Sequence, residues 1–563
     1  MRRVANFSAS FLLCLFVTFF MLYKLGYPLA GIDDANIYFV YARNLANGYG
    51  FVYNIGGERV EGFTSLLWTI ISAFAFKFTT LPEITLLIVN ILLISLGIAC
   101  VMDYLQQTSA AKGNSGKAGL FWSAVFLVII FSSPRYIVWN TISLMENALW
   151  STLLVLTTLF DIKDHSSSAA IHAGFLPLGI LLLLTRPESF LWVVVFLGVL
   201  FIRFTFTGGI AFALKRLAPS IAGILLTAIL FTIFRLQYFG YPLPNTYYAK
   251  VSPSLAYNLQ EGLLYLVRYF ISDPIASISV MAVLLACIYS LLRPAPGRGE
   301  FYLPFLAAIG LLVPVLIGGD HFGSFRFYQS VYPITVLCLI YSIRDILPDL
   351  VGERIHERFP SRVRAMIFPG LALLLFLGFG SSQGKAWSRF PPEIQTEFDL
   401  VLYERSNGTF IQDLFSSLPR LPSVGVIAAG GIKYSYGGEI VDLVGLNNTA
   451  MAHNHGDRIG YHGHAAFEAS TFYLLQPEIL MPFMVNDSWQ YSEKELRENW
   501  ENKLAFNGLY DEPRFLDLYQ YAKVGDAAPD RYNLALVGWF RKDFLERLRM
   551  NVEFSIEQFN YDS

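Results

Sequence analysis

Charge is what this sequence has least of. Only 15% of its 563 residues are Asp, Glu, Lys or Arg, whereas 54% are hydrophobic and 16% aromatic. A soluble domain carries roughly 25% charge. A chain so poor in charge cannot cover its apolar surface with water-facing groups, so water is not its main solvent. It has no excess of either sign: 41 Lys and Arg against 43 Asp and Glu, a net charge of −2. That sets aside a nucleic-acid partner, which needs a basic face. A disulfide framework is missing too, because Cys14, Cys100, Cys287 and Cys338 all fall in apolar runs, where a thiol behaves as a small hydrophobe. Their placement leaves the redox compartment open. Heptads, solenoid periods and low-complexity tracts are absent, apart from a polar link at 109–119.

What is present is a series of long apolar runs, such as FLLCLFVTFFML, LLIVNILLISLGIACV and FLWVVVFLGVLFI. Each is long enough to cross a ~30 Å hydrocarbon layer at ~1.5 Å per residue. The runs predict eleven membrane helices, near 8–27, 84–103, 118–134, 147–161, 171–185, 189–206, 219–236, 274–292, 301–318, 331–346 and 365–382. The first reads as a retained helix rather than a signal peptide, since no A-x-A-like site follows it. The apolar stretch at 61–78 decides the topology. If it lies along the interface, Arg2, Arg3, Lys112, Lys117, Lys163, Arg203, Lys215, Arg216, Arg293, Arg298, Arg344, Arg354, Arg358, Arg362 and Arg364 all share one side. This is the positive-inside pattern, and it predicts a cytoplasmic N-terminus with 61–78 lying flat and Trp68 at headgroup level.

The predicted fold is therefore mostly α: a polytopic helical bundle over 1–383, followed by a soluble α/β domain over 384–563. The tail contains charge, Gly and Pro, and strand-like runs such as SVGVIAAG and EIVDLVG separated by turn signals.

The outer loops of this topology hold polar residues that an anchor does not require. Asp33 and Asp34 stand just beyond the first helix. Asp is a favoured N-cap, and capping explains one of the two. Adjacent carboxylates repel, which raises the pKa of one and suits it to act as a general base. Arg43 and Glu61 follow in the same loop. Glu146, Arg186 and Glu188, Asn245, Tyr248 and Lys250, and Asp320, His321 and Arg326 come from four other helix ends. Singly, each is explained by snorkelling, capping or an aromatic belt. Together they place carboxylates and cations on one membrane face. Such a set can hold an anionic headgroup, offset charge on a departing phosphate and deprotonate an acceptor hydroxyl.

The segment DDANIYFVYARNLANGYGFVYNIGGERVEGFTSLLW, with TRPES, LPNTYYAK, GGDHFGSFRFY and YSYGGEIVDLVGLNNTAMAH, resembles the membrane glycosyltransferases of the GT-C superfamily. The resemblance is closest to terminal arabinofuranosyltransferases and their bacterial relatives. It implies an inverting glycosyltransferase of the cytoplasmic (inner) membrane. The sugar passes from a polyprenyl-phosphate donor to a glycan or glycolipid acceptor on the outer face, with no metal or other cofactor. It further implies Asp33 and Asp34 as the catalytic positions, with Asp33 favoured as base, and Lys250, Arg326 and Arg186 as contacts to the donor phosphate. Arg43, Glu61, Glu146, Glu188, Asn245, Tyr248, Asp320 and His321 are then candidates for substrate contact. The competing class is a transporter or flippase of a lipid-linked sugar or anionic solute. Such a protein needs polar groups at mid-membrane and broken helices, and Pro177, Pro304 and Pro314 are the only hints of these.

In the tail, His453, His455, His462 and His464 form two H-x-H pairs, a minor alternative as a metal site, since alternate strand residues share a face without any ligand. Glycosylation-type triplets begin at Asn407, Asn447 and Asn486 and matter only where a host modifies them.

Overall fold

The structure is a computed structural model. It describes residues 1–26, 29–111, 116–163, 168–349, 392–459, 463, 465–486, 489–492, 494–495, 498–527 and 534–559.

Seven described helices are long and apolar enough to cross a bilayer: Arg2–Leu25, Pro82–Ala111, Ser189–Gly208, Ile210–Tyr238, Pro274–Leu292, Gly299–Leu316 and Arg326–Asp349. An eighth candidate, Gly116–Ser132 with Pro134–Ile142, bends by 79° at the Ser133–Pro134 junction. Asn147–Ile162 and Gly174–Thr185 are shorter apolar helices, and the run at 365–382 lies outside the described residues, as does the 383/384 domain boundary. The chain is a multi-pass membrane protein built as a mostly helical bundle with a C-terminal sheet domain.

The apolar stretch after Glu61 yields only a 13-residue helix, Leu66–Phe78. That is about 20 Å at ~1.5 Å per residue, too short to span. Trp68 is not at the lipid surface as expected. It is fully buried, and its indole donates to the carbonyl of Leu144 at 3.1 Å. The segment 237–273, expected as a loop, contains the helix Leu255–Ser272. Its buried residues Asn258, Gly262, Tyr265 and Tyr269 recur at helical spacing, and Gly262 lets it pack against the backbone of Val315.

Charge separates the two ends of the bundle. At one end Arg2 and Arg3 meet Asp103, Arg203 donates to the carbonyl of Lys163 at 3.0 Å, and Arg344 donates to Thr108 at 2.9 Å. At the other end, beyond the first helix, the acidic pair begins the helix Asp33–Ala46, and there the tail docks.

The tail sheet is mixed, with strand order β2-β1-β3-β5-β4-β6. β1 (Val424–Val426), β2 (Ile440–Asp442) and β3 (Ile479–Val485) run parallel; β3, β5 (Ala535–Arg541), β4 (Tyr519–Asp526) and β6 (Phe554–Gln558) run antiparallel. The loops leaving the carboxyl ends of β1 and β2 face the membrane body, the edge at which open α/β sheets bind ligands. The amide of Asn245 donates to the carbonyls of Gly445 and Leu446 at 2.7 and 3.0 Å. The hydroxyl of Tyr53 donates to the carbonyl of Ala429. Arg405, on the tail helix Pro392–Leu414, lies 3.8 Å over the ring of Tyr434 and pairs with Glu83 at 3.3 Å.

Candidate functional site

A cavity of about 570 Å³ lies where the helix Asp33–Ala46, the Arg186–Glu188 turn, the Leu243–Asn258 segment and the Leu316–Phe327 loop meet the tail. Asp34, Arg186, Glu188, Lys250, Asp320, His321 and Arg326 line it, so four separate helix ends foreseen from the sequence do converge. Leu243, Val251, Leu255, Leu316 and Ile317 supply an apolar wall, and Leu255 and Leu316 are strongly exposed.

Asp34 stands between two cations. Its Oδ2 is 3.6 Å from Nζ of Lys250 and 3.5 Å from Nη1 of Arg326. Arg326 is fixed by Asp320 through Nε and Nη2, at 2.7 and 3.3 Å. Ser324 and Phe325, immediately before it, both adopt left-handed backbone, φ 61° and 57°. Each costs ~1–2 kcal/mol for an L-residue, and the pair turns the chain so that Arg326 starts its helix facing Asp34. His321 has its Nδ1 3.5 Å from Asp320, and Gly463 of the tail lies so close that a Cβ there would be 2.7 Å from the same nitrogen.

Asp33 is in a different environment from Asp34 and does not line the cavity. Both its oxygens accept hydrogen bonds from tail amides: Gly430 N–H at 3.1 and 3.0 Å, and Gly431 N–H at 2.7 Å. Neither aspartate caps the helix, whose N-cap is Ile32 with no side-chain cap. Burial raises Asp33 to about 6, even though the two amides favour the carboxylate. The expectation that Asp33 acts as the base conflicts with this geometry, because its lone pairs point into the docking contact.

Arg186 lines the cavity between two carboxylates. Its Nη1 donates to Glu146, and Nε and Nη2 contact Glu188 at 3.1 Å each. Burial alone would raise Glu188, but the guanidinium overrides this and holds the carboxyl below its ordinary value. Arg186 is thus held by two carboxylates, as Arg326 is by Asp320 and Asp34. Glu146 is fully buried behind the cavity wall.

Four more expected contacts serve the scaffold instead. Glu61 takes both Nε and Nη2 of Arg235 at 2.9 to 3.1 Å, inside the protein. Burial still raises Glu61 to about 7, outweighing the guanidinium. Arg235→Met is expected to destabilise by ~3–5 kcal/mol, since removing one partner strands a buried charge. A thermal melt in detergent checks this, with the Glu61→Gln, Arg235→Met double variant recovering part of the loss. Arg43 donates to the carbonyl of Tyr434 at 2.8 Å, and Asn245 docks the tail as above. Tyr248 packs its ring 4.2 Å from that of His453, which also stacks 3.9 Å from Tyr241. That stack places His453 in tail docking. His455 is exposed, and His462 and His464 lie outside the described residues. Asn407 and Asn447 are buried, with their amides donating to Pro482 and Asp442, so neither triplet is open to glycosylation.

Sequence reasoning missed the tail's contribution. Leu446, Arg458 and Gly463 line the cavity. Glu397, on the tail helix, is raised to about 7 by burial, with Asp34, Asp33 and Asp320 adding to the effect. Tyr38, Thr64 and Asn258 also line or border the cavity. The only signal for Glu397 was an acidic residue early in a tail helix, which is common on solvated faces.

No family model and no curated protein matches the sequence. Among solved structures the chain is similar to ArnT from Cupriavidus metallidurans bound to undecaprenyl phosphate. The TM-score is 0.49 and the identity 14%, covering 95% of this chain and 97% of that one. It is also similar to the archaeal oligosaccharyltransferase AglB from Archaeoglobus fulgidus in complex with an inhibitory peptide and a dolichol-phosphate. There the TM-score is 0.48 and the identity 12%, covering 96% and 74%.

Proposed function

We propose that the chain is a GT-C-type membrane glycosyltransferase that moves a sugar from a polyprenyl-phosphate donor to an acceptor hydroxyl on the side of the membrane where the tail lies. The observation that carries the reading is the placement of Asp34 between Lys250 and Arg326, in a cavity with an apolar wall. An amphiphile with an anionic phosphate matches both halves of that lining: cations for the phosphate, leucines and isoleucine for the first isoprene units.

In this mechanism Asp34 is the general base, in place of Asp33. Asp320 and Glu188 are each held on both oxygens by a guanidinium and Asp33 by two tail amides outside the cavity, whereas Asp34 lines the cavity beside both cations. A phosphate entering the cavity takes over Lys250 and Arg326, and Asp34 turns to the acceptor hydroxyl. The hydroxyl oxygen bonds to the anomeric carbon as its proton passes to Asp34, and the C–O bond to phosphate breaks. The electron pair leaves on the phosphate, where the two cations offset it. One base and one displacement invert the anomeric configuration. The residues of this set require no metal. Arabinofuranose is the sugar suggested by the sequence resemblance, and the positive-inside pattern supports a cytoplasmic basic end with the tail on the outer face.

The test is reconstitution with a panel of radiolabelled polyprenyl-monophosphate sugars. Release of polyprenyl phosphate together with an inverted glycoside supports the reading. Translocation of intact donor without transfer establishes the transporter instead. In the same assay Lys250→Met is expected to lower kcat/KM for the donor by about 10- to 100-fold, ~1.4–2.7 kcal/mol, the range of one charge-assisted contact. Unchanged kcat/KM would remove Lys250 from the phosphate site.

A further inference from the structure

The tail holds a second cavity, of about 150 Å³, on one face of β3, β4 and β5. Its floor is Tyr521 and Trp539, directly paired across β4 and β5, buried, with rings 5.2 Å apart. Phe483 and Trp489, rings 6.0 Å apart, form a wall. The sheet is distorted to build this wall. Leu480 and Phe483 are three residues apart and belong on opposite faces of a regular strand, yet both pair on the Trp539 face because the register shifts between them. Met481 sits in the bulge with φ 47°, and Gly538 opposite permits it, since a Cβ there would press on Leu480 O and Pro482 Cα at 3.1 Å. Left-handed backbone at a non-glycine costs ~1–3 kcal/mol. A strand without the bulge would turn Phe483 away from the cavity.

The charged groups are of one sign. Asn499 and Glu501 stand together, Nδ2 to Oε2 at 3.4 Å, and burial raises Glu501 to about 7. The charged lining residues, Glu495 and Glu501, are both acidic, so an anionic ligand is repelled. Aromatic faces beside an amide and a carboxyl suit a molecule with C–H faces and hydroxyl edges. A quaternary ammonium would use the rings but neither the donor nor the acceptor of Asn499.

We propose that this cleft binds a single neutral sugar residue, belonging to the glycan acceptor. The ring stacks on the Trp489 and Phe483 wall, and its hydroxyls bond Asn499 and Glu501. The choice of ligand class rests on the glycosyltransferase reading, but the cleft is tested by binding rather than by turnover. Helix Pro392–Leu414 runs between the two sites, with its Glu397 interacting with Asp34 and Asp320 and its Glu404 with Glu501.

The experiment is saturation-transfer NMR on the full chain in nanodiscs, with a panel of methyl pentofuranosides and methyl hexopyranosides. At least one glycoside is expected to show transfer, weakened tenfold or more in Trp489→Ala and in Asn499→Leu. Asp34→Asn is expected to bind it as the wild type does, which separates this proposal from the assignment of the base. A native melting temperature in each variant shows that the tail has folded. If no glycoside in the panel binds, or if binding survives both cleft substitutions, the proposal is overturned. Displacement of the glycoside by tetramethylammonium at equal concentration would overturn it as well, in favour of a cation cage.

Discussion

Asp34→Asn is expected to lower the rate of sugar transfer by roughly 10³-fold, about 4 kcal/mol of barrier, while leaving fold and donor retention unchanged. The amide keeps the shape and the oxygen near Lys250 and Arg326 but cannot accept the acceptor's proton. Asp33→Asn provides the comparison. Its side chain faces Gly430 and Gly431, so the loss there is of docking geometry, and transfer should fall by about tenfold or less. Single-turnover rates with saturating donor separate the two, because docking defects act on binding as well as chemistry. Should Asp33→Asn prove the dead variant and Asp34→Asn retain turnover, the roles assigned to the two carboxylates are reversed.

The ordering of that pair marks the limit of what the sequence reveals. Long apolar runs predict helices because crossing a bilayer leaves few alternatives, and the described spans fall where the runs are. Lys250, Asp320, His321 and Arg326 were legible as one site because each is a polar residue at an apolar helix end on one face. Asp33 and Asp34 are identical in type and adjacent; what distinguishes them is the Gly430–Gly431 turn, almost 400 residues away in sequence. The carboxylates around Arg186 were likewise hard to foresee, since one of them, Glu146, stands 40 residues earlier. The helix Leu255–Ser272 escaped because its lipid-incompatible residues read as a loop, although the stripe Asn258, Gly262, Tyr265, Tyr269 was in the sequence. The aromatic cleft combines Phe483, Tyr521 and Trp539 from three strands, and a bulge that flips the parity of β3 cannot be read from alternation.

Gly430→Ala is expected to undock the tail. A Cβ at this position collides with the carbonyl oxygen of Asp33 and lies 2.9 Å from its carboxylate, and neither can move without shifting the helix Asp33–Ala46. Because Leu446, Arg458 and Gly463 complete the cavity, transfer should be lost together with docking, by about 100-fold or more. Hydrogen exchange at the amides of Gly430 and Gly431 should accelerate in parallel; native exchange with full turnover would show that the docking contact is dispensable. The same interface is expected to weaken as pH rises. Burial raises Asp33 from 3.8 to about 6, Glu397 from 4.5 to about 7 and Glu404 from 4.5 to about 8. Between each ordinary value and its raised value the docked state holds a proton that the undocked state has released, so raising pH through that window removes stability. The dependence begins near pH 4, is steepest from about 4.5 to 6, where all three groups hold their extra proton, and continues to about 8 as Glu397 and then Glu404 ionise. Exchange at Gly431, corrected for the intrinsic pH effect, should therefore be up to about 10³-fold faster at pH 8.5 than at pH 6, since Glu397 contributes about one pKa unit and Glu404 about two across that window. Glu404→Gln removes the highest of the three transitions, so its profile should flatten above pH 7. A variant profile that superimposes on the wild type would assign the pH dependence to other groups.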